Sequence, residues 1–442
     1  MSSVLFKNAL IVTMNQDRDV LQGDLLVQDS FIKYIGAAGL SADRVIDAGG
    51  QVVIPGLIQA HVHLCQTLFR GQADDLELLD WLNLRILPLE AAHDYESLYC
   101  SALLGIGELF QGGTTSIISM ETIRHTEAVF QAITESGIRA VSGKCMMDRG
   151  AGIPGNMIEK TSESLQESVN LLEKWHGTAG GRLHYAFCPR FAVSCSEELL
   201  VQVRDLARRY RVKVHTHASE NLKEIALIQA ERKMRNVAYL DHLGLTGAGL
   251  VLVHCVWLDR EEMEMLRRSG TNVVHCPSSN LKLGSGIALI PEMLDRGIQV
   301  SIGADGAPCN NNLDAFTEMR LAALIQKPQH GATAMPAGKV FALATTGGAR
   351  AMGLEKETGS LEVGKKADIV MINLNSLHSL PAAGTDIYSR LVYQAKSSDV
   401  TLTMVDGRIV YENGRLTTID EEMLARESAR AIKRVRERAG IG

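Results

Sequence analysis

Residues 52–63 form the stretch Val52-Val-Ile-Pro-Gly-Leu-Ile-Gln-Ala-His-Val-His63, a short apolar run that ends in two histidines separated by one residue. Alternate residues of a β-strand point to the same face, so the side chains of His61 and His63 are expected to lie side by side. One such pair is weak evidence for a metal site by itself. It gains weight because other metal-binding residue types also end apolar runs, namely His217, His254, His275 and Asp305. Together these positions indicate one metal-dependent hydrolytic site.

The composition of the 442-residue chain is that of a soluble globular enzyme with a sizeable core, since 46% of its residues are hydrophobic and 22% are charged. The formal net charge is -6. A protein that binds nucleic acid or an anionic membrane needs a basic face, so we expect neither partner. A small-molecule substrate is the expected partner.

The eight cysteines are scattered along the chain without a Cys-x-x-Cys pair, which argues against a zinc–thiolate cluster. Several lie within or directly after apolar strands, where they are expected to be buried free thiols in a reducing compartment. The first residues lack a signal-peptide pattern, and no apolar run has the length of a membrane span. These features predict a cytoplasmic protein.

The central part of the chain alternates short apolar strands with helical stretches, a pattern typical of a parallel α/β fold. Eight strands are predicted, at residues 58–63, 115–119, 138–145, 183–188, 212–217, 250–254, 272–275 and 299–305. Eight strand–helix units close into a (β/α)8 TIM barrel, which carries its active site at the carboxyl ends of the strands. The candidate site residues fall at those ends, as this fold requires.

Both ends of the chain have a different pattern, with short strands separated by turns. Asp406-Gly407 lies between two apolar runs and predicts a β-hairpin. We therefore expect a small β-sandwich domain built from residues 1–56 and 362–442, the latter including a C-terminal helix. The barrel is expected to span residues 57–361 and to form the catalytic domain.

A hydrolytic metal site needs a few nitrogen or oxygen ligands and one open position for water. The candidate ligands are His61, His63, His217 and Asp305. Glu220 follows His217 by three residues, where it could move protons near a metal-activated water; the alternative is a first-turn glutamate favoured by the helix dipole. His254 would polarise the water or support the developing charge, whereas His215 is interpreted as a packing residue.

The combination of motifs resembles the amidohydrolase superfamily over nearly the whole chain. The motifs are His61-Val-His63, His217-Ala-Ser-Glu220, His254-Cys255, His275-Cys-Pro-Ser-Ser-Asn280, Gly303-Ala-Asp-Gly306 and Gly364-Lys-Lys-Ala-Asp368. They are most similar to the aminohydrolase branch that includes deaminases of S-adenosylhomocysteine, methylthioadenosine and 5'-deoxyadenosine, guanine deaminases and triazine hydrolases.

This resemblance implies one divalent metal, zinc in the first place and iron as an alternative, held by His61, His63, His217 and Asp305. It implies that Glu220 and His254 handle protons and that Asp305 also takes a proton from water. Binuclear relatives carry a lysine on the fourth strand, where this chain has Arg190, so a mononuclear site is expected.

The resemblance leaves the substrate open between two kinds of ring. Asn280-Leu-Lys-Leu-Gly284, Trp81 and Glu90 look like the nucleoside-deaminase branch, in which the glutamate contacts ribose. Gln66, Arg190 and Phe191 instead resemble the base-binding set of guanine deaminases, and Phe191 could stack on the heterocycle. Arg190 could alternatively form an internal salt bridge. Lys144, in place of a usual arginine, and His275 complete the candidate substrate-binding residues.

The sequence thus predicts an aminohydrolase that replaces an amino group on a purine-like ring with oxygen and releases ammonia. Two alternatives remain. A triazine-type hydrolase would use a similar site to displace chloride or an alkylamine, and a non-catalytic barrel would keep the metal for structure alone. We expect a homo-oligomer.

Overall fold

The computed structural model describes residues 3–37, 39–150 and 152–441. Residues 1, 2, 38 and 442 of the predicted terminal domain, and residue 151 of the predicted barrel, lie outside the described residues. The strands are β1 (Ser3–Val12), β2 (Val20–Gln28), β3 (Phe31–Gly36), β4 (Arg44–Asp47), β5 (Val52–Pro55), β6 (Leu57–His63), β7 (Thr114–Met120), β8 (Arg139–Gly143), β9 (Cys145–Met146), β10 (Leu183–Pro189), β11 (Lys213–Ala218), β12 (Leu250–His254), β13 (Asn272–His275), β14 (Gln299–Ile302), β15 (Asp305–Gly306), β16 (Ile369–Ile372), β17 (Val400–Val405), β18 (Arg408–Glu412) and β19 (Arg415–Leu416).

Most of the α-helices lie between the strands of the central region. They are α1 (Leu78–Trp81), α2 (Leu87–Ala91), α3 (Tyr95–Gln111), α4 (Thr126–Ser136), α5 (Thr161–Trp175), α6 (Thr178–Gly181), α7 (Glu197–Tyr210), α8 (Leu222–Arg232), α9 (Asn236–His242), α10 (Arg260–Ser269), α11 (Pro277–Lys282), α12 (Ile290–Asp295), α13 (Ala307–Asn310), α14 (Ala315–Leu324), α15 (Lys327–His330), α16 (Ala337–Ala342), α17 (Gly348–Met352), α18 (Ile387–Ser389) and α19 (Glu421–Ala439). Short 3₁₀ or π-helical turns lie at Leu64–Phe69, Leu82–Ile86, Gly155–Met157, Ala192–Ser194, Leu343–Gly347, Leu377–Ser379, Arg390–Gln394 and Ser397–Asp399. None of the helices in the described part of the chain combines the length and apolar composition of a membrane span.

The central strands form one parallel sheet that curls back on itself. The order is β6-β7-β8-β10-β11-β12-β13-β14, and β15 returns to pair with β6. Successive residues of a strand belong to different apolar clusters. Ile117 of β7 and Leu252 of β12 lie in the cluster that includes the surrounding helices. Their neighbours Ile118 and Val253 lie in the second cluster. This is the alternation expected of a sheet whose outer face is covered by helices.

Two predicted strands are interrupted. The third, predicted at 138–145, divides at Lys144 into β8 and β9, and the eighth, predicted at 299–305, divides into β14 and β15. At the second break Gly303 packs directly on β6. A Cβ atom at Gly303 would lie 2.6 Å from the backbone oxygen of His61. Before this break β14 pairs with β13, and after it β15 pairs with β6.

Both ends of the chain contribute to a second sheet, of nine strands among the described residues. Its order is β19-β18-β17-β16-β5-β1-β2-β3, with β4 paired parallel to β1. The predicted hairpin at Asp406-Gly407 connects β17 to β18. Phe6, Ile32 and Met404 lie in an apolar cluster that is separate from those of the barrel, so this sheet has its own core.

A buried ion pair joins the two sheets. Arg139 at the start of β8 donates from Nε to Asp368 Oδ2 at 2.8 Å, and the two residues are 1% and 2% exposed. Burial alone would raise the pKa of Asp368, but the guanidinium of Arg139 outweighs it and holds that pKa below its ordinary value. Asp368 also accepts from the Asp406 backbone N–H, which ties the hairpin to the same pair.

Substituting Asp368→Asn should lower the free energy of unfolding by about 3 kcal/mol, because the buried guanidinium of Arg139 loses its closest carboxylate and keeps only Asp406, at 3.4 Å. A urea titration of parent and variant measures this loss. The matched control is Arg44→Gln, which removes the exposed Arg44–Glu412 pair and should cost less than about 1 kcal/mol. Equal losses in the two variants would contradict a joining role for the buried pair.

Candidate functional site

The candidate ligands converge at the carboxyl ends of the barrel strands. His61 and His63 end β6, His217 lies near the end of β11, and Asp305 begins β15. Ring nitrogens of His61, His63 and His217 lie within 4.8 Å of one another. Asp305 Oδ1 lies 3.1 Å from His61 Nε2 and 3.4 Å from His63 Nε2. Asp305 also forms a second such group with His61 and His254, so His61 links the two groups.

The second nitrogen of each imidazole is held by a hydrogen bond. His63 Nδ1 donates to the Met120 carbonyl oxygen at 2.7 Å, and His217 Nδ1 donates to that of Arg190 at 2.7 Å. His61 Nδ1 lies 3.0 Å from His215 Nε2. Because each Nδ1 is engaged, the Nε2 lone pairs are free to face a cation, which is the usual arrangement behind a metal-ligating histidine.

Burial keeps these imidazoles neutral. It lowers the pKa of His61 and His217 and lowers that of His63 to about 4. Metal ligation requires neutral imidazole and ionised carboxylate, so three imidazoles with Asp305 fit a divalent cation of the zinc type. The donor set therefore suits the metal that the sequence predicted.

Three groups that could move protons lie beside the ligands. His254 Nε2 is 3.4 Å from Glu220 Oε2 and 3.9 Å from Asp305 Oδ2. Burial raises the pKa of Glu220 above its ordinary value, despite the opposing effect of His254. His254 and Asp305 both adopt positive φ, at 72° and 66°. A strained backbone at both positions is typical of functional sites.

Several hydrogen-bonding residues of the site were missed in the sequence. Ser285 donates to Glu220 Oε1 at 3.0 Å, and Ser279 donates to Asp305 Oδ2 at 2.6 Å. His215, interpreted as a packing residue, instead lies against the ring of His61. The alternation of His215 with His217 was an available signal. Ser279 lies in α11 within the quoted motif from His275 to Asn280, whereas Ser285 lies in a loop without any such signal.

A cavity beside the cluster gathers part of the predicted substrate-binding set. Its wall includes Gln66, Trp81, Arg190, Phe191, Glu220 and His254. Gln66 Oε1 and Trp81 Nε1 are buried without a hydrogen-bond partner in the described part of the chain. These two polar atoms are available to a ligand.

Glu90 lies behind this wall in a buried network. Arg190 donates from Nη1 to Glu90 Oε2 at 2.7 Å and from Nη2 to Oε1 at 3.2 Å. Gln66 Nε2 donates to the same Oε1 at 2.7 Å. The internal salt bridge considered for Arg190 is therefore present, and it engages both oxygens of the glutamate.

Other predicted substrate-binding residues lie outside the wall. Lys144 is fully buried, where it bonds Glu159 and lies 3.2 Å from the Cys145 carbonyl oxygen, so its charge is used internally. His275 is buried, and neither ring nitrogen has a partner among the described residues. Asn280 accepts from His254 Nδ1 at 2.9 Å and thereby orients that ring.

Comparisons with known proteins show the family of the chain. Residues 52–410 match the model of the Amidohydrolase family. The chain belongs to this family. It is 40% identical to the 5'-deoxyadenosine deaminase of Methanobrevibacter smithii, over 99% of each chain.

Solved structures extend the similarity. An adenosine deaminase from Xanthomonas campestris, with bound zinc, superposes with a TM-score of 0.92 and 30% identity over 98% of each chain. The guanine deaminase of E. coli superposes with a TM-score of 0.84 and 28% identity, over 93% of this chain and 99% of the other. The predicted family is confirmed.

The purified protein should contain divalent metal that His217→Ala and Asp305→Ala lose, because each substitution removes a donor from the cluster. Elemental analysis of the dialysed proteins measures the content. His184→Ala is the matched control, since His184 lies at the other end of the barrel and should leave the metal in place. Full metal content in both ligand variants would contradict this site.

Proposed function

We propose that this chain is a metal-dependent aminohydrolase that replaces an exocyclic amino group on a purine base or adenosine-type nucleoside with oxygen. The observation that carries the proposal is the placement of Glu220, His254 and Asp305 beside the imidazole cluster, with Glu220 and His254 in the wall of one cavity. Deaminase relatives over the full chain length support the same chemistry.

The metal would be held by His61, His63, His217 and Asp305, and we propose one ion per chain, zinc or alternatively iron. When bound, such an ion lowers the pKa of a coordinated water towards neutrality. In the net reaction, a bond forms between water oxygen and the ring carbon, the bond from that carbon to the amino nitrogen breaks, and ammonia leaves with the transferred proton.

Glu220 would supply the proton that the ring nitrogen needs as the amino-bearing carbon is attacked. Its raised pKa favours a protonated carboxyl group, and the Ser285 hydroxyl holds Oε1 in position. General acid catalysis requires both a suitable pKa and a fixed geometry. The backbone of Glu220 is also held in place, because its N–H donates to Glu224 Oε2 at 2.9 Å.

His254 and Asp305 would handle the proton that water releases. Asn280 accepts from His254 Nδ1, so the Nε2 of that ring is directed towards Glu220 and Asp305. A positioned imidazole can stabilise the charge that develops on the entering oxygen. Asp305 can take a proton on Oδ2, which the Ser279 hydroxyl already contacts.

Two substrates remain candidates, each with an observation in its favour. The deaminase relative acting on 5'-deoxyadenosine favours an adenosine-type nucleoside. The ion pair of Arg190 with Glu90 favours a base without a sugar, because Arg190 and Gln66 already engage the carboxylate that would otherwise bind ribose hydroxyls. An oxo-purine could then use Gln66 Oε1 and stack on Phe191.

The two rival functions have less support. A triazine-type hydrolase would need only a different leaving group, so it is tested by assaying chloro- and alkylamino-triazines beside guanine and a 5'-substituted adenosine. A non-catalytic barrel would not need a proton donor with a raised pKa next to the ligands, as Glu220 is. We further propose a cytoplasmic homo-oligomer with a terminal β-sandwich domain at 1–56 and 362–442 and a catalytic barrel at 57–361. The buried free cysteines support the location.

Glu220→Gln should keep the metal and lower kcat for deamination of the best substrate by about 10²–10⁴-fold, because the amide cannot donate the same proton. Ultraviolet absorbance follows turnover, and elemental analysis checks the metal. Glu264→Gln, an exposed change on α10, is the matched control and should keep parental kcat. The alternative of a first-turn helix glutamate does not apply to Glu220, because α8 begins at Leu222 and its first-turn glutamate is Glu224. Near-normal turnover in Glu220→Gln would contradict its role as the proton donor.

Arg190→His should shift preference from guanine towards a 5'-substituted adenosine, because it frees the Glu90 carboxylate and removes a donor to an oxo group. Sites built to hydrogen-bond a ring group discriminate strongly against rings that lack it. The measurement is the ratio of kcat/KM for the two substrates in parent and variant. An unchanged ratio would mean that Arg190 acts only through the buried ion pair and does not select the ring.

A further inference from the structure

A second cavity lies at the opposite end of the barrel from the metal cluster. It encloses about 650 Å³ where β10, β11 and β12 begin. Lys213, the first residue of β11, lines it, whereas His217 lies four residues further along the same strand. At about 3.3 Å per residue the two positions are roughly 13 Å apart. A ligand in this cavity would therefore leave the metal site free.

The wall of this cavity is strongly basic. Its basic residues are Arg204, Arg208, Arg211, Lys213, His176 and His184. None of the described wall residues is aspartate or glutamate, although the whole chain carries a net charge of -6. A concave surface lined by charge of one sign concentrates the electrostatic potential and attracts ions of the other sign.

Neighbouring carboxylates leave most of this charge uncompensated. Asp205 pairs with Arg204 at 2.8 Å, but its side chain is 58% exposed and does not line the cavity. Glu355 is close enough to raise the pKa of Lys213 slightly, yet burial outweighs it and lowers that pKa. Lys213 is thus held in surroundings that penalise its charge unless an anion is bound.

The loop that connects α9 to β12 orients two of the basic side chains, those of Arg208 and Lys213. Arg208 Nη2 donates to the Gly244 carbonyl oxygen at 2.6 Å, and Lys213 Nζ donates to that of Ala248 at 2.9 Å. Neutral carbonyls orient these cations without cancelling their charge. The side chain of Arg211 has no hydrogen bond or ion pair within the described ranges of the chain.

The same cavity also offers apolar contacts and further polar groups. Leu245, Met352 and Leu354 line it. His184 Nε2 is buried and has no partner in the part of the chain that the structure describes. The lining is therefore suited to a molecule with an anionic end and a larger uncharged body, and its volume exceeds what a simple inorganic anion would fill.

We propose that this cavity binds a phosphate monoester of a small organic molecule, with its phosphate on Arg208 and Arg211. Guanidinium groups bind phosphate through paired N–H donors, and Arg208 keeps N–H groups beyond the one used on the loop. The sugar or other body of the ligand packs on Leu245 and Met352. This site is independent of the proposed deamination and remains testable if that function fails.

The experiment is isothermal titration calorimetry of the metal-loaded protein with ribose 5-phosphate, inorganic phosphate and ribose. Ribose 5-phosphate should bind, inorganic phosphate should bind more weakly, and ribose should not bind. Arg208→Gln and Arg211→Gln should each weaken ribose 5-phosphate binding by about tenfold or more, since each removes a hydrogen bond to a charged group. Two separate variants keep the test valid if one of them folds poorly.

The matched control is Arg209→Gln, an exposed arginine of α7 that lies over the Tyr210 ring and outside the cavity wall. It should keep parental affinity. Absence of ribose 5-phosphate binding, equal binding of ribose, or tighter binding of inorganic phosphate than of the monoester would each overturn the proposal. So would a loss in Arg209→Gln as large as that in the two cavity variants.

Discussion

The pairing of β15 with β6 is the constraint on which the site depends. Val62 lies opposite Asp305 in this pair, and His63 lies opposite Gly306. This register closes the barrel and places the only carboxylate among the candidate ligands beside the two histidines of the first strand. The close packing of Gly303 on His61 permits it, because a side chain at that position would separate the two strands.

The buried position of the cluster shapes its chemistry further. Imidazoles removed from water lose the proton that would compete with a metal, and each is oriented by a carbonyl oxygen or by another imidazole. The same burial raises the pKa of Glu220. Burial thus keeps the imidazoles neutral for metal binding and favours a protonated Glu220 that can donate its proton.

The substrate side of the site is governed by a different interaction, the buried pair of Arg190 and Glu90. Breaking it leaves a charge uncompensated at a cost of about 3–5 kcal/mol, so the pair persists unless a ligand replaces one partner. Solved structures named as an adenosine deaminase and a guanine deaminase both superpose on this chain. The shared barrel therefore does not by itself distinguish the two kinds of substrate.

The sequence by itself determined the family and the parallel α/β pattern, and it predicted that the candidate ligands lie at strand ends. Asp305 differs in detail, because it begins the short strand β15. Strand ends can be recognised in a sequence because apolar runs stop there. The spacing within His61-Val-His63 and His217-Ala-Ser-Glu220 is local, so it does not depend on how the rest of the chain folds. Terminal strands were also recognisable, including the hairpin at Asp406-Gly407, because turn residues and alternation are local signals.

Only the tertiary structure decided which distant residues meet. The contact of Arg190 with Glu90 joins positions one hundred residues apart, and His215 contacts His61 across the barrel. Lys144 was assigned to the substrate but is engaged by Glu159, because its strand breaks at that residue and its side chain is buried. Such pairings depend on how strands and loops pack in space. Local sequence patterns carry no information about the distance between residues that are far apart in the chain.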